Sequence, residues 1–545
     1  FGALGPSTVA WAQDRPSEQD MFGGSSQSAP PDGGAPAAPA PTAPTTAAPP
    51  AAATEAATTG GAAPSDRDQS LLGTGPGGPE HLSDYQAPDN PLQIGGQLYL
   101  RAQSSGQQGR DAWTLTSPNL LDVYLDARPN PRVRAYVLGR MSFDPTAAPS
   151  TTSATDMTST TSMMGANALM GGDSSGGAFS GGSATGFTTF TTSRGPSSIL
   201  DQMWIRFDIL NRLFVTAGKQ HVHWGTGRFW QPTDYLHPVK RNPLDVFDAR
   251  PGTTMLKVDV PWEQRGWNFY GFGVFEDPNN ATPTLNEVAG GARAEIVILG
   301  AELGLDALVK KDQKPRYGID FSTGIWELDI HGDVGIRYGE DFCNVEPHVA
   351  GTTPPSVLNT SCPPTVTLPS NIPPATLTTI MTQAQMYDVV PLSGIKVQAV
   401  GGVDWSHKYN DNDMFTVGAE YFYNQPGYSN TSVYPGLLLN SNYTPILNFF
   451  YTGRQYAALF ASFPAPYSWN LTTFTLSTLS NLTDQSFISR LDYSYTLLTH
   501  ITLEAFVGVH YGHAGGEFRL GYDIPGVGAR DPALIDLGAA LRLKI

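Results

Sequence analysis

ALIDLGAALRLKI, Ala533 to Ile545, ends the chain, and its side chains sort into two sets at a period of two. Ile535, Leu537, Ala539, Leu541, Leu543 and Ile545 form an apolar set, whereas Asp536, Gly538, Ala540, Arg542 and Lys544 form a polar or small one. A water-soluble sandwich also uses such strands, but here many stretches of similar length share the pattern. Strands of about ten residues, apolar on one side and polar on the other, fit a closed barrel whose outside meets lipid and whose inside meets water.

The composition points the same way. Among 545 residues there are 58 Gly and 45 Pro, with 15% charged and 10% aromatic residues, which favours strands and loops over helices. No apolar run approaches the roughly 18 residues of a helical span, so a closed barrel is the remaining way across a bilayer. A formal net charge of −17 argues against a nucleic-acid partner, because phosphate binding needs a basic surface.

At the N-terminus, Ala10-Trp11-Ala12 matches a small-x-small cleavage pattern, so residues 1–12 read as the end of a signal peptide and Gln13 as the first mature residue. Residues 13–90, dominated by Ala, Pro, Thr and Gly, read as a disordered periplasmic tether suited to reaching a partner. The segment is too short and too plain for the folded plug of a gated receptor.

From residue 91 onward the two-faced pattern repeats. Leu121, Val123 and Leu125 oppose Asp122, Tyr124 and Asp126; after the Pro129-Asn130-Pro131 turn, Val133, Ala135 and Val137 oppose Arg132, Arg134 and Tyr136. Continued to the end, this reading predicts an all-β chain with an antiparallel transmembrane barrel of about 18 strands over 91–545. The weak pair between Gln455 and Ser480 leaves 16 as the alternative. Short links largely alternate with the others, and the long loops 144–198, 223–253, 339–394 and 424–454 all fall on the opposite side from the short ones. The closing strand resembles that of Gram-negative outer-membrane proteins, although it ends in Ile545 where these usually end in Phe. That resemblance implies the cell outer membrane.

The loop HWGTGRFWQPTDYLHPVKRNPLDVFDARPG, His223 to Gly252, is unlike the Ser/Thr/Pro-rich others. Its crowd of large aromatic and charged side chains needs something to pack against. It follows the fifth strand, and its W-G-x-G-x-x-x-x-P-T-D wording resembles a stretch of porin-like outer-membrane proteins. That resemblance implies a loop folded into the barrel to narrow the pore, with Arg228, Trp230, Asp234, Arg241, Asp245 and Asp248 as constriction candidates. The alternative is an external cap held by its own ion pairs. His221 and His223 read as lining or capping residues, or as two ligands of a metal site that nothing near them in sequence completes.

The inward faces carry further signals. Arg132, Arg134 and Arg140 form a basic set on the third strand; Glu302, Asp306, Asp320, Asp329 and Asp333 form an acidic set on strands nine to eleven. Either the two sets cast a field across the lumen, or they are ordinary lining with partly paired charges. Tyr99, Tyr124, Tyr136 and Trp204 point inward from four consecutive strands, as a sugar-stacking track or as wall packing. Cys343 and Cys362 are placed to close a disulfide loop in an oxidising compartment; a metal site with His348 is the rival, and its spacing matches no usual zinc pattern. The methionines of the 144–198 insertion, Met157, Met163, Met164 and Met170, read as parts of a surface loop or as copper ligands.

No nucleophile elbow, zinc-protease helix or phosphate-binding glycine loop occurs, so the sequence predicts no enzyme, no cofactor and no resident metal. It predicts a porin-like channel for passive diffusion of small hydrophilic solutes, sugars or organic anions, in a lipid-embedded and possible homotrimeric form. The alternatives are an exit or assembly component of polysaccharide export, and a closed barrel acting as a surface scaffold.

Overall fold

The computed structural model describes residues 91–544 apart from 110–112, 148–195, 211, 238–239, 245–249, 276–287, 312, 340–342, 348–386, 410–412, 435–448, 468 and 525–527. The leader 1–12, the tether 13–90, the methionines of the insertion, Asp245, Asp248 and the Cys343–Cys362 pairing therefore lie outside the described residues or side chains.

Eighteen long strands form the wall: β1 (Leu92–Gln107), β2 (Asn119–Asn130), β3 (Val133–Phe143), β4 (Ser197–Ile209), β5 (Leu213–Gln220), β6 (Thr253–Trp262), β7 (Trp267–Val274), β8 (Ala289–Ile298), β9 (Ala301–Lys310), β10 (Arg316–Ile325), β11 (Leu328–Tyr338), β12 (Ile395–Lys408), β13 (Met414–Asn424), β14 (Gln455–Pro464), β15 (Thr472–Asn481), β16 (Ser486–Leu498), β17 (Ile501–Gly512) and β18 (Ala533–Lys544). Each pairs antiparallel with the next in sequence. β18 pairs back onto β1, from Gln97↔Lys544 through Leu100↔Leu541 to Ser105↔Asp536. That last pairing leaves no edge, which a sheet in hydrocarbon requires because lipid satisfies no backbone N–H or C=O. The questioned segment forms β14 and β15, paired from Tyr456↔Asn481 to Pro464↔Thr473, so the ring has 18 strands and not 16.

Alternation follows the pleat. Leu121, Val123 and Leu125 of β2 are exposed outward, while Asp122 and Asp126 on the other face of the strand are buried inside. β9 repeats the arrangement with Leu305 outward and Asp306 inward. All links of the β2–β3, β4–β5 and β8–β9 kind are short, and both barrel termini lie at that end. Leu299 and Gly300, at φ 54° and 83°, close the β8–β9 link in the left-handed backbone that a two-residue hairpin turn demands. Exposed Trp262, Trp326, Tyr467 and Trp469 ring the same end, as aromatic side chains do at a membrane interface.

Candidate functional site: a loop bonded across the barrel interior

The segment after β5 does not stay outside. Trp224 is fully buried and packs edge-on against Phe272 of β7, with ring centroids 5.3 Å apart. Gly225 then takes φ 103°, and a Cβ there would lie 2.3 Å from the Asp333 carboxylate of β11. Only glycine lets the chain turn so close to that wall. Gly227 is equally constrained, since its Cβ would meet the Trp230 carbonyl at 2.0 Å. Between them, Thr226 Oγ1 donates to the Gly332 carbonyl at 2.9 Å.

The tip reaches β12–β14, which stand seven to nine strands from β5 around a ring of 18. The main-chain N–H groups of Arg228, Phe229 and Trp230 donate to the carboxylate of Glu420 on β13, at 2.7, 3.1 and 3.0 Å. The Arg228 guanidinium pairs with Asp404 of β12 at 2.9 Å and lies 4.0 Å over the Phe460 ring of β14. Trp230 is fully buried, stacked on Phe422 at 5.4 Å, with its indole N–H donating to the Phe450 carbonyl at 2.8 Å. The returning limb is tied by Thr233 to Asp333 and by the Tyr235 hydroxyl to the Tyr317 carbonyl of β10. Arg490 of β16 donates to the Leu244 carbonyl at 2.8 Å. The loop thus joins two interior clusters, one built on β6–β9 with Trp224, Tyr235 and Leu236, the other on β12–β16 with Phe229, Trp230 and Leu244. Arg241 is half-buried in the returning limb.

A polar knot ties the base. Asp201 sits where the β3–β4 register shifts, and this irregularity turns its carboxylate inward. It pairs with Arg140 at 3.1 Å and His221 at 2.9 Å, and accepts the Gly252 N–H at 3.1 Å. Beside it, His223, Asp234 and His237 offer ligand atoms within 4.8 Å of one another. Arg250 already places a cation there, its guanidinium donating to Asp234 and to His223 at 3.0 Å each. Burial alone would raise the Asp234 carboxyl, but its pairing with His237 and Arg250 holds it well below the usual carboxylate range. Burial pushes the His237 imidazole down to about 4.

The arginines of the wall are paired locally. Arg134 binds Asp126 and Arg140 binds Asp122, each at 2.9 Å, so the basic set of β3 is compensated on its own side. Arg132 lies in the turn before β3 and is solvent-exposed, one step off the wall where the sequence pattern put it. Five strands further round, Arg293 of β8 pairs with Glu295, Asp306 and Asp320. Glu302 lies 3.5 Å from Ser322 Oγ, and Asp329 stands opposite Asp404. Three of the four inward aromatics form one stack, Tyr124 to Tyr136 at 5.9 Å and Tyr136 to Trp204 at 5.5 Å. Tyr99 stands apart, its hydroxyl donating to Glu504 of β17 at 3.2 Å.

The sequence pattern did not single out Glu420, Asp404, Asp201 or Arg293. Glu420 and Asp404 have the inward parity of their strands, and that parity was their only signal. Glu517, in the link before β18, was also missed. It accepts from the Phe450 and Thr452 N–H groups, the Tyr456 hydroxyl and the Asn481 amide, and so ties that link to the neighbouring loop. Burial and the nearby Asp484 push its carboxyl up to about 7, against those hydrogen bonds.

A closed antiparallel ring with an apolar outside, a charged inside and aromatic side chains at its short-turn end defines an outer-membrane β-barrel protein. The outer membrane is where this chain resides, with lipid against its outer face. No protein-family model and no curated protein matches the chain. Among solved structures it is similar to OccAB1 of Acinetobacter baumannii, with a TM-score of 0.44 and 10% identity over 85% of this chain and 99% of that one. Similarity extends to OprB of Pseudomonas putida, with a TM-score of 0.42 and 9% identity over 84% and 95%. A triple mutant of the Rhodopseudomonas blastica porin gives 0.35 and 10% over 83% and 100%.

Proposed function

We propose that the protein is a porin-like channel through which small hydrophilic solutes diffuse passively, narrowed by the loop 223–252. The observation that carries this reading is the loop's attachment to the far wall: Glu420 and Asp404 hold its tip, while Asp201 holds its base. A segment bonded to both sides of a barrel divides the lumen at that level, and the inward charges suit a water-filled path. Selection then rests on width and on the polar groups around the loop, with no bond making and no energy source. Local pairing of the wall arginines favours neutral or weakly charged solutes such as sugars over strong orientation of ions, with organic anions as the comparison class.

The test is single-channel conductance of the purified protein in planar bilayers, wild type beside a deletion of Arg228 to Asp248. Ohmic steps that enlarge on deletion are expected, with sugars slowing ion flow as they occupy the constriction. A folded wild-type protein that passes no current would overturn the channel reading.

A further inference from the structure

We propose that Glu420 is the positioning residue of the constriction: its carboxylate fills an anion cradle made by three successive main-chain N–H groups and so fixes the loop across the lumen. This rests on the channel reading for its consequence, though not for its geometry. Consecutive N–H groups converging on one point form a concavity of partial positive charge that suits a carboxylate. Here Arg228 donates to Oε2, and Phe229 and Trp230 donate to Oε1, while His331 Nε2 stands 3.2 Å from Oε2. Glu420 is 4% exposed, so water does not replace these bonds. The neighbouring contacts have a different character. Trp230 between Phe422 and Tyr456 supplies area with little direction, and Arg228 to Asp404 binds a flexible side chain. Only a main-chain contact sets the path of the backbone, and the path of the backbone sets the width left open. Glu420 reaches the loop from a rigid strand whose neighbours are paired along its length.

A cradle of this kind accepts any carboxylate of the right size. In Glu420→Ala the N–H groups face an emptied pocket that formate matches in charge and shape, whereas in Glu420→Gln the amide still fills the space but cannot satisfy three donors. We therefore expect Glu420→Ala to give noisier conductance steps about twofold larger than wild type. Recordings use potassium gluconate, whose anion is too large for the pocket. Added formate should return the steps toward wild-type size in Glu420→Ala and leave both wild type and Glu420→Gln unchanged. Trypsin cleavage of the folded barrel after Arg228, Lys240 or Arg241 gives a second readout that needs no current. Protection in wild type, cleavage in both variants and formate-dependent protection in Glu420→Ala alone are expected. Variants with wild-type steps and wild-type protection would overturn the assignment, as would formate that acts equally on Glu420→Gln. If wild type fails to conduct but the protease pattern holds, the channel reading falls and the cradle stands. If Glu420→Ala does not fold, Glu420→Gln decides by cleavage, and its full protection would count against the proposal.

Discussion

Two buried groups in the loops titrate in opposite senses. Glu517 has its pKa raised from the ordinary glutamate value of 4.5 to about 7, so the folded state binds its proton more tightly than the unfolded chain. Its contribution is complete below about pH 4.5 and is lost as pH climbs through 7. His237 has its pKa lowered from 6.5 to about 4; its contribution is complete above about pH 6.5 and is lost as pH falls through 4. The two windows overlap and oppose each other. Urea midpoints measured from pH 4 to pH 7.5 should therefore separate in the variants. Relative to wild type, Glu517→Gln should gain stability as pH rises, and His237→Asn should lose it. Parallel pH curves for both variants and wild type would refute the assignment of these protons.

At the scale of elements, the loop's W-G-x-G-x-x-x-x-P-T-D stretch becomes a set of contacts: Trp224 at the near cluster, Gly225 and Thr233 at Asp333, Gly227 beneath the Trp230 carbonyl, Asp234 at Arg250. Gly225→Val is expected to cost roughly 1–3 kcal/mol, since it forces a β-branched residue into left-handed backbone beside a carboxylate. Removing the obstacle in Gly225→Val/Asp333→Ala should recover only the steric part and leave the backbone part. The measurement is equilibrium unfolding in urea, and full recovery in the double variant would show that φ plays no role. The strands were legible in the sequence because a side-chain period of two needs no knowledge of neighbours, as Leu121 to Asp126 illustrate. The loop's special composition was legible too, but its destination was not. Glu420 lies about 190 residues from the groups it binds, and nothing local in Phe415 to Tyr423 distinguishes it from ordinary lining. Arg140 with Asp122 is readable from parity across adjacent strands, whereas Asp201 depends on a register shift that alternation cannot foresee.

For the whole molecule, the closed ring gives each wall position one of two solvents. Leu305, midway along β9, faces outward and the adjacent Asp306 faces inward to Arg293. Leu305→Arg should destabilise the barrel in lipid vesicles by roughly 2–4 kcal/mol, the cost of a cation near the bilayer midplane. The same variant in detergent micelles, where the head group reaches water more easily, should lose less. Equal losses in both media would argue that Leu305 does not meet hydrocarbon.

A thin-walled ring of strands resists being squeezed into an ellipse only through the stiffness of its own wall. The segment running from Asp201 to Glu420 adds something a hollow ring lacks, a spoke attached at two distant points of the circumference. Lateral pressure from the bilayer is then carried partly through the interior, so cutting this one link should let the cross-section breathe along its longest unsupported diameter.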